Sequence, residues 1–120
     1  MIDHLSISVS DMAASKRFYE AALKPLGYTV IMDFGEHAAG LGEGGKPDFW
    51  IGKGAPHPSH VAFRSAGRAM VDAFSAAAIA AGGRDNGPPD LRAQYHPGDY
   101  GAFVLDPDGY NVEAVCHQAP

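Results

Sequence analysis

The turn near the end of the chain constrains the fold more than any other stretch. Residues 106–109, Asp-Pro-Asp-Gly, combine a proline that fixes φ with a glycine that accepts positive φ, which is strong turn chemistry. Apolar residues enter the turn over 102–105 and leave it over 111–116, so the pattern predicts a β-hairpin. Alternation puts Glu113 on the face opposite its two apolar neighbours, and a carboxylate buried there needs a partner.

Two other predicted strands offer that partner. Residues 4–9 and 60–64 each begin with a histidine. In both segments large apolar side chains alternate with a second set of side chains, to which the histidine belongs. The apolar sets can pack against helices, which leaves His4, His60 and Glu113 on the opposite faces. Two imidazoles and one carboxylate are a ligand set for a divalent metal ion with open coordination positions, provided that these faces line a cavity. We therefore predict a metal site at these three residues.

Two helices complete the pattern. A Ser-Asp pair at 10–11 is a good N-cap for a helix that ends near Leu23. Helical spacing of apolar residues over about 67–81 predicts a second helix, which a Gly-Gly pair stops. Short strands are expected at 28–32, 37–41 and 48–52, and a long polar loop at 84–99.

The order of these elements indicates an internal repeat. A strand with a leading histidine, a helix, a glycine stop and short strands occur in each half of the chain. His60 follows His4 by about half the chain length. We predict a single domain over 1–120, with module one at about 1–53, a linker at 53–58 and module two at about 59–118.

Composition limits the class of partner. The chain has 9 basic and 14 acidic residues, a net charge of −5, and no basic run, which argues against nucleic acid or an anionic membrane surface as partner. A lone cysteine, Cys116, excludes an internal disulfide, and no apolar run reaches membrane-spanning length. Strand-like sequence begins at Ile2 without a signal-peptide pattern, so we expect a soluble, cytoplasmic protein.

Taken together, these motifs resemble the vicinal oxygen chelate superfamily, also called the glyoxalase/bleomycin-resistance/dioxygenase family. The resemblance covers essentially the full length and implies an α+β fold, in which two βαβββ modules form a curled mixed sheet around an open cavity. The family's metal-ligand positions are matched here by His4, His60 and Glu113. The residues that carry the resemblance are 2–5, 10–11, 18–20, 26–27, 60–63, 106–109 and Glu113.

The resemblance also implies a chemistry. A divalent ion, with Fe, Mn, Zn and Ni as candidates, would chelate two vicinal oxygens of a small-molecule substrate in lyase/isomerase-like or dioxygenase-like reactions. Glu113, Tyr100 and His96 are the predicted catalytic residues, the last two as hydrogen-bond donors or proton shuttles. Tyr100 and Arg64 are predicted substrate contacts, Arg64 through a substrate carboxylate. Plain loop packing of the segment around His96, and a rim position for Arg64, are the simpler alternatives.

Trp50 separates this chain from the isomerases of the family. An alignment of the two halves places Trp50 opposite Glu113, where those isomerases have a fourth metal ligand. An indole cannot ligate a metal in that role, so three ligands remain. We expect Trp50 to bind substrate by pointing into the cavity as a planar apolar wall. A register one residue away would instead bring Phe49 and Ile51 to the cavity.

Family resemblance implies a homodimer, with no nucleic acid and no membrane among its partners. We expect one chain to supply all three metal ligands, because both modules are present in it; exchange of modules between two chains is the alternative. The competing function is a non-enzymatic small-molecule binding protein, as in the antibiotic-sequestering, bleomycin-resistance-like members, which need no metal ion.

Overall fold

Each half of the chain builds one four-stranded mixed sheet and one helix that covers it. The structure is a computed structural model that describes residues 1–118. The elements of module one are β1 (Leu5–Val9), α1 (Met12–Leu23), a 3-10 turn (Lys24–Leu26), β2 (Thr29–Asp33), β3 (Ala38–Gly42) and β4 (Phe49–Lys53). Those of module two are β5 (His60–Arg64), α2 (Arg68–Ala80), β6 (Arg84–Leu91), β7 (Tyr100–Leu105) and β8 (Asn111–Cys116).

The two sheets have the same topology. Their strand orders are β1-β4-β3-β2 and β5-β8-β7-β6, so each first strand lies at an edge and pairs in parallel with the last strand of its module. The remaining neighbours are antiparallel. The parallel pair requires a long crossover, which the helix and the two intervening strands supply. The predicted α+β fold of two βαβββ modules is confirmed, and neither sheet closes into a barrel.

Local signals account for the helix boundaries. Asp11 has an extended backbone and accepts a hydrogen bond from the backbone N–H of Ala14 at 3.1 Å, which caps α1. After the following 3-10 turn, Gly27 adopts a φ of 92°, a left-handed conformation that glycine tolerates without strain. Gly82 ends α2 in the same way, with a φ of 101°.

The sequence predicted that the polar segment 84–99 is a loop throughout, and this prediction is wrong for its first half. Its first half is β6, which pairs with β7 through two register shifts. β6 contains a Pro-Pro pair, and proline cannot donate a ladder hydrogen bond, so the sequence signal for a strand is weak. An edge strand tolerates these prolines because its outer side has no strand partner, and β6 lies at the edge of its sheet.

One hydrophobic core spans both modules. Phe49 of β4 is 2% exposed and packs edge-to-face against Tyr19 of α1, with ring centroids 5.0 Å apart. The same ring meets Phe63 of β5 at 5.2 Å, also edge-to-face. This geometry is the favoured one for aromatic pairs. The aromatic contacts therefore join the two modules directly.

The predicted turn at 106–109 ties the modules together as well. Gly109 has a φ of 92°, and its N–H donates to the carbonyl of Asp106 at 3.0 Å. The Asp106 carboxylate accepts hydrogen bonds from the hydroxyl of Tyr19 at 2.5 Å and from the backbone N–H of Tyr110 at 2.9 Å. The Tyr110 hydroxyl donates in turn to the carbonyl of Ser8 at 2.7 Å. A turn in module two thus satisfies buried polar groups of module one.

The burial of Asp106 predicts a pH dependence of stability. Burial raises the pKa of the Asp106 carboxyl above its usual 3.8, and the hydrogen bond from Tyr19 offsets part of that shift. The folded protein then holds the proton more tightly than the unfolded chain does. The stability contribution of this proton is fully present below about pH 3.8 and is lost as the pH rises through the folded-state pKa.

Asp106→Asn should therefore flatten the decline of the free energy of unfolding as the pH rises from about 4, because the amide does not titrate. Urea unfolding of both proteins at several pH values measures this slope. The same slope in the variant and the parent would show that Asp106 titrates normally in the folded state.

No helix within 1–118 combines the length and the apolar character needed to cross a membrane.

Candidate functional site

His60 and Glu113 form the closest pair among the predicted site residues. Nε2 of His60 lies 2.8 Å from Oε1 of Glu113, within hydrogen-bond distance. The pairing of β5 with β8 brings them together: Glu113 lies beside Ala62, which is on the same strand face as His60. The Glu113 side chain is 10% exposed and that of His60 is 51% exposed. The pair thus consists of a buried carboxylate and an imidazole with an accessible side.

This pair lines a cavity of about 450 Å³ on the open face of the second sheet. Phe103 of β7 is the direct cross-strand neighbour of Glu113, and its ring centroid lies 5.9 Å from that of His60. Asn111 precedes Glu113 by two positions and therefore shares its face. The remaining lining residues, Tyr95 and Asp99, come from the loop between β6 and β7.

His4 is not part of this cavity. It precedes β1, and its Nδ1 lies 2.8 Å from Oδ1 of Asp3, whose carboxylate also lies 3.2 Å from Nζ of Lys46. The hydrogen bond to His4, followed by that to Lys46, holds the pKa of Asp3 below its usual value. Across residues 1–118, no three His, Cys, Asp or Glu side chains are grouped so that they could hold a metal ion. The structure thus brings together two of the three predicted ligands in one chain.

Tyr100 lies on the other side of its sheet. Its cross-strand neighbour is Cys116, which is fully buried, and its hydroxyl donates to Oδ1 of Asp72 in α2 at 2.6 Å. The Arg68 guanidinium lies 5.1 Å from the ring centroid. The hydrogen bond to Asp72 raises the pKa of Tyr100, which makes its proton harder to remove. The expected position of this hydroxyl at the cavity is therefore not observed.

His96 and Arg64, two further predicted site residues, lie outside the cavity lining. The ring of His96 packs against that of His117, with centroids 5.1 Å apart, and Nδ1 of His117 lies 3.8 Å from Oδ2 of Asp99. Arg64 borders a separate depression together with Leu26. Neither side chain lines the cavity of His60 and Glu113.

The register of the first sheet determines the direction of Trp50. Trp50 pairs with Ser6 in the first sheet as Glu113 pairs with Ala62 in the second, so the two residues occupy equivalent positions of the repeat. Phe49 and Ile51, its chain neighbours, are both in the core. Trp50 lines the open face of the first sheet and stacks on Phe34 with 6.3 Å between ring centroids. The alternative register is therefore excluded.

Sequence reasoning missed four of the lining residues: Phe103 and Asn111 on strands, and Tyr95 and Asp99 in the loop between β6 and β7. Phe103 and Asn111 could have been found by strand alternation, because both share the face of Glu113. Asp99 carried no periodic signal, since it lies in a loop just before β7 begins. Its position became apparent only in the folded chain, where it is 5% exposed.

Comparison with known proteins gives one family. Residues 1–114 match the model of the Glyoxalase/Bleomycin resistance protein/Dioxygenase superfamily. No curated protein sequence matches the chain at a significant level.

Several solved structures share the fold. A glyoxalase/bleomycin resistance protein from Albidiferax ferrireducens T118 is 28% identical, with a TM-score of 0.81 over 97% of this chain and 98% of that one. A glyoxalase-related enzyme from Fulvimarina pelagi is 18% identical, with a TM-score of 0.74 over 97% of this chain and 87% of that one. A glyoxalase/bleomycin resistance protein/dioxygenase family enzyme from Burkholderia phytofirmans PsJN is 19% identical, with a TM-score of 0.72 over 98% of both chains.

Proposed function

The chain belongs to the Glyoxalase/Bleomycin resistance protein/Dioxygenase superfamily, and from this premise we propose that it is a small metalloenzyme acting on a small molecule with two vicinal oxygens. The observation that carries the proposal is the hydrogen-bonded pair of His60 and Glu113 inside a cavity. An imidazole and a carboxylate are suitable ligands for a divalent ion such as Fe, Mn, Zn or Ni. Bound there, the ion would supply Lewis-acid polarisation of the substrate oxygens.

The third ligand in this proposal is His4 of a second copy of the chain. Its side chain is 56% exposed, and it directly precedes an edge strand, so another molecule can reach it. β5, which carries His60, is also an edge strand. Exposed strand edges are the usual places where sheets of two molecules approach each other. A homodimer would then form two equivalent sites, each with residues from both chains.

The residues of this chain prepare the site in two ways. Glu113 needs space for its carboxylate, and Gly101 on the neighbouring strand provides it: a Cβ at position 101 would lie 3.3 Å from Oε2. Phe103 forms an apolar wall next to the pair, and the amide of Asn111 adds a polar group. A cavity that combines aromatic walls with a few polar groups suits a small planar ligand.

The test is the affinity for Zn²⁺ or Mn²⁺, measured by calorimetric titration of the metal-stripped protein. His60→Ala, Glu113→Ala and His4→Ala should each weaken binding by at least about 100-fold, because each removes one ligand from a set of three. His37→Ala and His57→Ala are matched controls, since neither residue belongs to the proposed set, and should retain the parental affinity. Equal affinity in all five variants would refute the metal site.

A mixing experiment tests whether two chains share each site. A dimer of one His4→Ala chain and one Glu113→Ala chain retains one intact site if the ligands come from both chains, and none if they come from one. We expect each heterodimer to bind about one metal ion, which is half of the capacity of the parent dimer. No recovery in verified heterodimers, or a monomeric mass at micromolar concentration, would contradict the shared site.

A non-enzymatic binding protein is the second candidate function. Trp50 favours this function, because it occupies the position of the first module that is equivalent to Glu113, a proposed metal ligand, in the second. A stacked indole on an open sheet face suits ligand binding without turnover. Metal content discriminates the two, since sequestration of this kind needs no ion. A protein that binds small molecules fully after metal removal, and has no metal-dependent activity, would support this candidate.

A further inference from the structure

We propose that Asp99 determines the ligand specificity of the cavity by binding a protonated nitrogen, such as an ammonium or amidinium group, of the bound molecule. The inference rests on the proposed function in one respect: the cavity of His60 and Glu113 is taken as the ligand site. It adds a recognition residue that lies outside the metal-binding set.

The carboxylate of Asp99 is buried without a partner for one of its oxygens. Its side chain is 8% exposed, and it lines the cavity next to Glu113. Within residues 1–118, no hydrogen-bond donor reaches Oδ1 of Asp99. Oδ2 lies 3.8 Å from Nδ1 of His117, which is beyond hydrogen-bond distance. Burying a carboxylate oxygen without a hydrogen-bond donor is costly, so a donor from the ligand would relieve a cost that is already present.

Backbone contacts hold Asp99 in place. Its N–H donates to the carbonyl of His96 at 2.9 Å, and its carbonyl accepts from the N–H of Arg92 at 2.7 Å, which closes the loop between β6 and β7. The Arg92 guanidinium donates to the backbone carbonyls of Gly101 and Pro88. A carboxylate on such a fixed backbone is prepared for binding before the ligand arrives.

Gly101 brings the two acidic residues of the cavity to one small gap. A Cβ at this position would lie 3.3 Å from Oε2 of Glu113 and 3.8 Å from Oδ1 of Asp99. Both oxygens thus lie on the side of Gly101 that carries no side chain. The lining residues include no lysine or arginine that would compete for them.

The charge and the aromatic walls together favour a cation. Two carboxylates, one imidazole and no lysine or arginine border the cavity, so a ligand with a positive nitrogen gains charge-assisted hydrogen bonds there. The ring of Tyr95 also lines it and can attract a cation through its face. One face of the Phe103 ring already carries the Arg92 guanidinium, whose central carbon lies 4.9 Å from the ring centroid, so Phe103 shows that a cation suits this aromatic wall. A flat aromatic cation is therefore the simplest probe that matches both features.

Benzamidine and benzamide test this directly, because they have nearly the same shape and differ in charge. Titration of the full-length protein, followed by NMR shifts of the backbone amides of residues 99 and 101, should show benzamidine binding at least about tenfold more tightly than benzamide. Asp99→Asn should remove this preference. Asp85→Asn changes the net charge equally at an exposed position outside the cavity and should retain it.

A second variant controls for the case that Asp99→Asn fails to fold. Gly101→Ala keeps both carboxylates but fills the gap between them, so it should also weaken benzamidine binding while the circular dichroism spectrum stays native. Equal affinity for the two probes, no benzamidine binding at millimolar concentration, or an unchanged preference in Asp99→Asn would overturn the proposal.

Metal affinity separates this inference from the proposed function. Asp99→Asn should bind Zn²⁺ as the parent does, since Asp99 is not grouped with His60 and Glu113 in a metal-binding arrangement. Loss of metal binding in Asp99→Asn would overturn the recognition role. Failure of the His60 and Glu113 variants to affect metal binding would refute the metal site and leave the benzamidine result valid.

Discussion

Phe49→Ala should lower the free energy of unfolding by about 3–5 kcal/mol, which is the usual cost of truncating a buried phenylalanine. The ring is 2% exposed and meets Tyr19 and Phe63 edge-to-face, one from each module. Its removal leaves a cavity at the junction of the two modules that their backbones can fill only in part. Urea unfolding at constant m-value measures the loss.

Trp50→Ala is the matched control because it changes the next residue on the same strand. Its side chain lies on the open face of the first sheet, where truncation leaves no enclosed cavity. We expect it to cost less than half as much as Phe49→Ala, even though the indole is larger. A greater loss for Trp50→Ala would mean that the strand faces are reversed.

Asp106→Ala is expected to have the second large effect, about 2–6 kcal/mol. The substitution removes the acceptor for two buried donors, the Tyr19 hydroxyl and the backbone N–H of Tyr110. Each buried donor left without an acceptor costs about 1–3 kcal/mol. It also releases the backbone N–H of Asp108, which the same carboxylate accepts at 2.8 Å.

A double-mutant cycle with Tyr19→Phe isolates the contact between the modules. In the parent, Tyr19→Phe loses a hydrogen bond to a carboxylate and should be destabilising. In the Asp106→Ala background the hydroxyl has already lost this acceptor, so its removal should be neutral or stabilising. Additive effects of the two substitutions would show that the contact between Tyr19 and Asp106 contributes nothing.

The second sheet was largely predictable from the sequence. The hairpin around residues 106–109 and the strand that begins at His60 follow from turn chemistry and alternation, and both are confirmed. The approach of His60 to Glu113 follows in turn, because both lie on the open face of paired neighbouring strands. By contrast, β6 was predicted as part of a loop, since its Pro-Pro pair gives no strand signal.

Tyr100 shows where alternation alone was insufficient. The sequence placed it at the start of β7 but did not determine which residue of β8 lies beside it. The register pairs Tyr100 with Cys116 and Phe103 with Glu113, so Phe103 takes the cavity face and Tyr100 faces α2. A shift of one residue exchanges the two faces of a strand, and only the hydrogen-bonded pairing decides it.

The sequence by itself determined the repeat, the turn, the helix ends and the pairing of His60 with Glu113, because propensity, capping and alternation act over a few neighbouring residues. Only the tertiary structure decided that His4 lies outside the cavity and that Asp99 lies within it. Their positions depend on how Phe49, Tyr19 and Phe63 pack between the modules and on how Arg92 closes a loop. Such contacts join residues far apart in the chain, and no local periodicity specifies them.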